Sequence, residues 1–258
     1  MKSQKFTTMN FKPLKVGIIG LGTMGLQLTK LFLKKKYQVF VVTRDIDKTK
    51  QKLTEYFSKN SDFVVQDVVL SDSILSLKDC DFIFECIVEN LQVKKELFSL
   101  VLGNSRGVLA SCTSTFTLEA LSKDLEFKEK LNVIHFSNPV SAMNVVEIVY
   151  SPSISMENRD LIKDLLAKIE YIGIEVPDIP GFVINSLLFP LIYNAIQIHC
   201  EHGITKSNID MLMKNGCGFP MGPFEIIDLV GVNTTVNVLR NLGYELSDQV
   251  LTTLIANK

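Results

Sequence analysis

The chain of 258 residues has no surplus of either charge: 27 basic residues face 28 acidic ones, for a net charge of −1. That excludes a general nucleic-acid coat, because binding a phosphate backbone takes an excess of Lys and Arg. Only a local cluster could hold a single phosphate. The five cysteines (Cys80, Cys86, Cys112, Cys200 and Cys217) are odd in number and show no CxxC spacing, so they read as reduced, mostly buried thiols of a cytoplasmic protein. The N-terminus, MKSQKFTTMNFKPLK, lacks an apolar core and is not a secretory signal. The longest apolar stretch, from Phe182 to Ile198, is broken by Asn185, Ser186, Pro190, Asn194 and Gln197. It falls short of a clean membrane span and is expected to be a buried core helix. There is no internal repeat and no low-complexity segment.

What is present is ordinary globular composition, 47% hydrophobic and 21% charged, in a chain long enough for one or two domains with a core of their own. Lys15 to Ile19, KVGII, has the character of a short buried strand. GLGTMG follows, then a helical pattern of Leu26, Leu28, Leu31, Phe32 and Leu33 that closes on Lys34, Lys35 and Lys36. Cations suit the negative end of a helix. Tyr37 to Thr43 predicts a second strand, ending at Arg44 and Asp45. Further strands are expected at Phe82 to Cys86, Val108 to Ala110, Val133 to Phe136, Val145 to Val149 and Ile172 to Val176, with helices at Leu91 to Val101 and Leu161 to Ile169. Strands alternating with helices predict a mostly parallel sheet covered on both faces. From Phe182 onward only helical periods remain, with a turn in NGCGFPMGP, which places a domain boundary near Asp178.

Gly20, Leu21, Gly22, Thr23, Met24 and Gly25 form G-x-G-x-x-G. Glycine turns are common, but this one follows a strand, opens a helix and is matched by an acid after the second strand. The first glycine permits the tight turn, the second lets the backbone approach a pyrophosphate, and the third allows helix and strand to pack closely. Asp45 is placed to accept the adenosine ribose hydroxyls and repel a 2′-phosphate, which favours NAD over NADP, although the adjacent Arg44 could receive such a phosphate. The expected architecture is therefore α/β: a Rossmann-type doubly wound sheet over residues 1–178, which binds NAD, then an all-α C-terminal domain over 179–258.

Only three histidines are available for chemistry. His199 and His202 are expected to lie at an exposed helix end rather than on a metal, and no metal site is predicted. His135 ends a predicted strand, where α/β sheets form their ligand crevice. Glu147 falls within the apolar run VVEIV of the next strand, where a carboxylate needs a partner. On residues alone, a catalytic His135–Glu147 pair competes with a satisfied core histidine beside an unrelated acid.

Several blocks together resemble the 3-hydroxyacyl-CoA dehydrogenase family, which includes bacterial 3-hydroxybutyryl-CoA dehydrogenases. They are GLGTMG, FECIVENLQVKKELF (84–98), ASCTSTFTL (110–118), IHFSNPVSAMNVVEIV (134–149), PGFVINSLLFP (180–190) and GFPMGPFEIIDLVGVNTT (218–235). The resemblance implies an NAD-dependent enzyme acting at the C3 hydroxyl of an acyl thioester. It makes His135 the general base and Glu147 the residue that orients it. It makes Ser114, Asn138 and Asn185 substrate-binding residues and puts Glu89 and Lys94 near the nicotinamide ribose. It also implies a homodimer formed through the helical domain.

Three departures from the family stand out. Cys112 replaces the usual Asn of its block, which either alters pocket polarity or is a plain core thiol. The segment from Asp45 to Phe82 is shorter than the lysine-bearing helical hairpin that docks CoA, leaving Lys48, Lys50, Lys52 and Lys59. The chain ends at Lys258, without the family's last glycine-rich segment. A shortened CoA dock leaves open an acyl-carrier-protein substrate, of the glyceryl or seryl type used for polyketide extender units. A non-catalytic NAD-binding relative is a further alternative. The hydroxyisobutyrate group, which shares GLGxMG, needs a lysine on the joining helix, and that helix carries Asn185 instead.

Overall fold

The computed structural model describes residues 14–60 and 63–255. The N-terminal segment read above as lacking a signal lies outside them through residue 13, as does the chain end at residues 256–258.

Most of the short apolar runs form strands because their β-branched and aromatic side chains can be buried on both faces of one sheet; the last of them, at the sheet edge, stays exposed. These are β1 (Lys15–Ile19), β2 (Gln38–Val42), β3 (Val68–Ser71), β4 (Phe82–Glu85), β5 (Val108–Ser111), β6 (Leu131–Phe136), β7 (Val145–Val149) and β8 (Ile172–Glu175). They lie in the order β3-β2-β1-β4-β5-β6-β7-β8. All neighbours are parallel except β6 and β7. Alternate side chains enter two separate cores: Ile18, Phe82 and Phe84 one, Ile19 and Ile83 the other. β3 was not expected from the sequence, since VVLS is short and carries a serine; pairing with β2 makes it a strand.

Between the strands run α1 (Thr23–Lys34), α2 (Ile46–Asn60), α3 (Leu91–Asn104), α4 (Leu118–Ser122) and α5 (Met156–Lys168). α5 starts well before the expected Leu161 because the Ser155 side chain accepts the Asn158 N–H and stabilises a polar first turn. After β8 come α6 (Phe182–His202), α7 (Lys206–Cys217), α8 (Pro223–Val230), α9 (Val232–Asn241) and α10 (Asp248–Ile255). They share a third core, which includes Phe189, Ile192, Ile196, Phe224, Ile227 and Leu239. α6 meets the length and mean hydropathy of a membrane-crossing helix, by composition only. The expectation of a wholly buried helix needs correction: Phe189, Ile192 and Ile196 face the third core, whereas Val183, Leu187 and Ile198 are exposed.

Candidate active site

The order of the sheet reverses between β1 and β4, and ligands of open α/β sheets bind in the crevice at such a point. The glycine turn leaves β1 there. Gly20 has φ +93°, and a Cβ on it would lie 2.7 Å from the Cys86 carbonyl oxygen. A Cβ on Gly25 would lie 2.0 Å from the Gly20 carbonyl oxygen, so helix and turn touch through backbone alone. Gly22 differs: its Cβ would meet nothing closer than 4.0 Å. Packing does not demand that glycine, whereas a pyrophosphate lying against the backbone does. Gly22 caps α1 without a side-chain bond, and the first turn carries no acid. Its N–H groups remain free for an anion. Thr23 and Met24 open this helix. These features fit a dinucleotide.

β6 and β7 place His135 directly opposite Glu147. Nδ1 of His135 and Oε2 of Glu147 are 2.8 Å apart, with the two side chains 6% and 4% exposed. The other oxygen, Oε1, accepts the N–H groups of Val183 (2.8 Å) and Ile184 (2.9 Å) in the first turn of α6. Burial pushes the Glu147 carboxyl up, but the bonds from His135, Ile184 and Val183 outweigh it and hold the group below its ordinary value. Glu147 thus remains an anion that faces the imidazole on one side and a helix N-terminus on the other. Phe182 packs on the His135 ring at 5.3 Å between centroids.

Asn185 lies on the same first turn, and its Nδ2 donates to the Ser114 carbonyl oxygen at 3.1 Å. The Ser114 N–H donates to Glu89 Oε1 (2.8 Å), which also accepts the Thr113 hydroxyl (2.9 Å). Lys94 Nζ lies 3.2 Å from Glu89 Oε2. Ser114, Asn185, Glu89 and Lys94 therefore form one bonded set, and the first turn of α6 joins it to His135 and Glu147. Asn138 is tied to α1 instead: its Oδ1 accepts Gln27 Nε2 (2.8 Å), and Gln27 Oε1 accepts the Val140 N–H (2.7 Å). Gln27, on the cofactor helix, thus holds the loop after β6. Asp45 stands apart from this set. Its Oδ1 accepts the Lys48 N–H at 2.9 Å, capping α2.

Two residues escaped the sequence reading. Gln27 gives no signal, being a polar residue in an amphipathic helix. Glu85 does, because it stands in the apolar run FIFE just as Glu147 stands in VVEIV. It is fully buried and accepts Lys94 Nζ (2.6 Å), Ser111 Oγ (2.7 Å) and the Ile87 N–H (2.7 Å). Burial alone would pull the Lys94 ammonium down, but the Glu85 and Glu89 carboxylates hold it above its ordinary value. Cys112 is partly buried; the hydrogen-bonded Cys86 thiol and then burial push its thiol up, and both thiols pack on the sheet core. His199 Nδ1 lies 2.7 Å from the Ile204 carbonyl at the end of α6.

A glycine turn at the switch point, and a histidine–carboxylate pair between a doubly wound sheet and a helical domain, define a two-domain, nicotinamide-dependent dehydrogenase. Residues 15–179 match the family model "3-hydroxyacyl-CoA dehydrogenase, NAD binding domain", and residues 181–257 match that of the C-terminal domain. The chain belongs to the 3-hydroxyacyl-CoA dehydrogenase family, and NAD is its cofactor. A 3-hydroxybutyryl-CoA dehydrogenase from Clostridioides difficile is 29% identical over 250 residues, covering 91% of this chain and 89% of that one. The human mitochondrial hydroxyacyl-coenzyme A dehydrogenase is 30% identical over 241 residues, covering 85% and 77%. Among solved structures, (S)-3-hydroxybutyryl-CoA dehydrogenase from Ralstonia eutropha superposes with a TM-score of 0.78 at 25% identity, covering 95% and 92%. FadB2 from M. tuberculosis shares the fold, with a TM-score of 0.83 at 21% identity and coverage of 95% and 94%.

Proposed function

We propose that this chain interconverts a 3-hydroxyacyl-CoA and the corresponding 3-oxoacyl-CoA with NAD, and that His135 is the base. The observation that carries the reading is the buried His135–Glu147 pair at the carboxyl end of β6, in a chain both of whose halves match the family. NAD, when bound, supplies the hydride acceptor or donor for C3. The residues of the chain do the rest. Glu147 fixes the ring with the proton on Nδ1, so Nε2 is the nitrogen that takes the proton of the C3 hydroxyl, and the carboxylate stabilises the resulting cation. The Ser114 hydroxyl and the Asn185 amide polarise the oxygen at C3 or the thioester carbonyl, with Asn138 beside them. Glu89 and Lys94 hold the Ser114 turn where a nicotinamide ribose would pass. The exposed apolar face of α6 to α8 supports a homodimer.

The test is oxidation of NADH at 340 nm with acetoacetyl-CoA, in the wild type and in His135→Gln. Turnover in the wild type, with a loss of about 10²- to 10⁴-fold in the variant and unchanged NADH binding, is the expected outcome. A wild type that binds NADH yet does not oxidise it would make the chain a non-catalytic relative. Offering the same acyl group on CoA and on an acyl carrier protein decides the carrier: kcat/KM is expected to be higher with CoA.

A further inference from the structure

An adenosine ribose is read at the carboxyl end of the second strand of a dinucleotide fold. A carboxylate there takes both hydroxyls and repels a 2′-phosphate, whereas an arginine there accepts the phosphate. In this chain β2 ends at Val42, paired with Ser71. The next residue is Thr43, which is uncharged; its N–H goes to the Ser71 carbonyl (3.0 Å) and its hydroxyl lies 2.8 Å from that of Thr49. Asp45, the acid that would favour NAD alone, stands beyond the strand end. Its carboxylate is engaged on the Lys48 N–H and its carbonyl accepts the Thr49 N–H at 3.1 Å, both in the first turn of α2. There one of its oxygens offsets the positive end of that helix.

Between these two residues lies Arg44, exposed and without a carboxylate within ion-pair distance among the described residues. Lys48, on the first turn of α2, is likewise exposed and has no ion pair among the described residues. Of the nearby acids, Asp47 is engaged 3.6 Å from Lys50, and Asp72 follows Ser71 at the end of β3. Lys52 reaches back from α2 to the Leu21 carbonyl oxygen in the glycine turn, adding a cation to the phosphate side of the same crevice. We infer that the ribose subsite receives a 2′-phosphate between Arg44 and Lys48, so that NADP(H) serves this chain beside NAD(H). The inference rests on the dinucleotide-binding reading and goes beyond it by assigning Arg44 and Lys48 to a phosphate.

Calorimetric titration of the whole chain with NADH and NADPH tests this without turnover. The expected Kd for NADPH is within about tenfold of that for NADH. Arg44→Ala is expected to move the NADPH-to-NADH affinity ratio by about 10- to 100-fold toward NADH, the worth of one or two charge-assisted bonds. Thr43→Asp, which sets a carboxylate at the strand end, is expected to move it the same way. Adenosine 2′,5′-bisphosphate is expected to bind more tightly than AMP and to lose that advantage in Arg44→Ala. NADH binding with NADPH weaker by more than about 100-fold, or a ratio that Arg44→Ala leaves in place, would overturn the inference alone. Binding of neither dinucleotide would overturn the dinucleotide reading with it.

Discussion

Glu85 and Glu147 pose the same physical problem, a carboxylate in an apolar strand, and the fold solves it twice with different partners. Replacing Glu85 by Leu leaves the Lys94 ammonium buried with Glu89 as its remaining partner. Breaking a buried pair in this way costs about 3–5 kcal/mol, to be read from urea denaturation. The double variant Glu85→Leu/Lys94→Met is expected to recover part of the loss, since it removes the stranded ammonium while the Ser111 hydroxyl and the Ile87 N–H still lack their acceptor. Failure to recover any of it would mean that the network is not the source of the stability. For Glu147 the sign is fixed by its lowered carboxyl. A group whose pKa is lower in the folded state stabilises above its unfolded value and loses that contribution as pH falls through the folded one. The stability difference between wild type and Glu147→Gln should therefore shrink as pH falls below about 4.3, the ordinary glutamate value. A difference that grows below that pH would contradict the anionic pair. Both acids stand out in apolar runs, but only Glu147 could be paired from the sequence, because a histidine ended the preceding strand and offered a partner. The partner of Glu85 is a lysine on the following helix, and a lysine near a helix start ordinarily means a solvated charge.

The elements around the site are joined by side chains that cap helices from a distance. Asp178 lies between β8 and α6, and its two oxygens accept the N–H groups of Leu118 (2.6 Å) and Glu119 (2.8 Å) at the start of α4. Glu147 does the same for α6. The link between sheet and helices is thus pinned at both ends by carboxylates. Asp178→Ala is expected to cost about 1–2 kcal/mol, in the range of a lost cap, and to speed proteolytic cleavage between residues 176 and 181. A variant as resistant as the wild type would show the pin to be idle. These caps could not be read from the sequence, because donor and acceptor lie far apart along the chain. Strands with continuous apolar runs were legible to within a residue or two, since burial on both faces leaves no other pattern. β3 and the first turn of α5 were not, because the one depends on a neighbouring strand and the other on a polar cap.

At the scale of the molecule, the third core leaves apolar surface over. Leu187 on α6 is 71% exposed, Met211 and Leu212 on α7 are 54% and 64%, and Leu229 on α8 is 48%. Single exposed apolar side chains are ordinary, but four large ones on neighbouring helices of one small domain offer surface that water disfavours. With a net charge of −1, little long-range repulsion keeps two copies apart. A stable pairing buries about 800 Å² per partner, and packing these helices against those of a second copy about a twofold axis would cover the face in one step. In sedimentation velocity at micromolar concentration, the wild type should run as twice the 28.9 kDa chain. Leu187→Glu with Leu212→Glu should run as a monomer, because each copy would bring charges of one sign into an apolar contact. Both substitutions fall at exposed positions, so the monomer should keep its helical circular dichroism. A wild type that sediments as a monomer, or a charged variant that still dimerises, would move the partner surface elsewhere, the exposed edge at β8 being the next place to look.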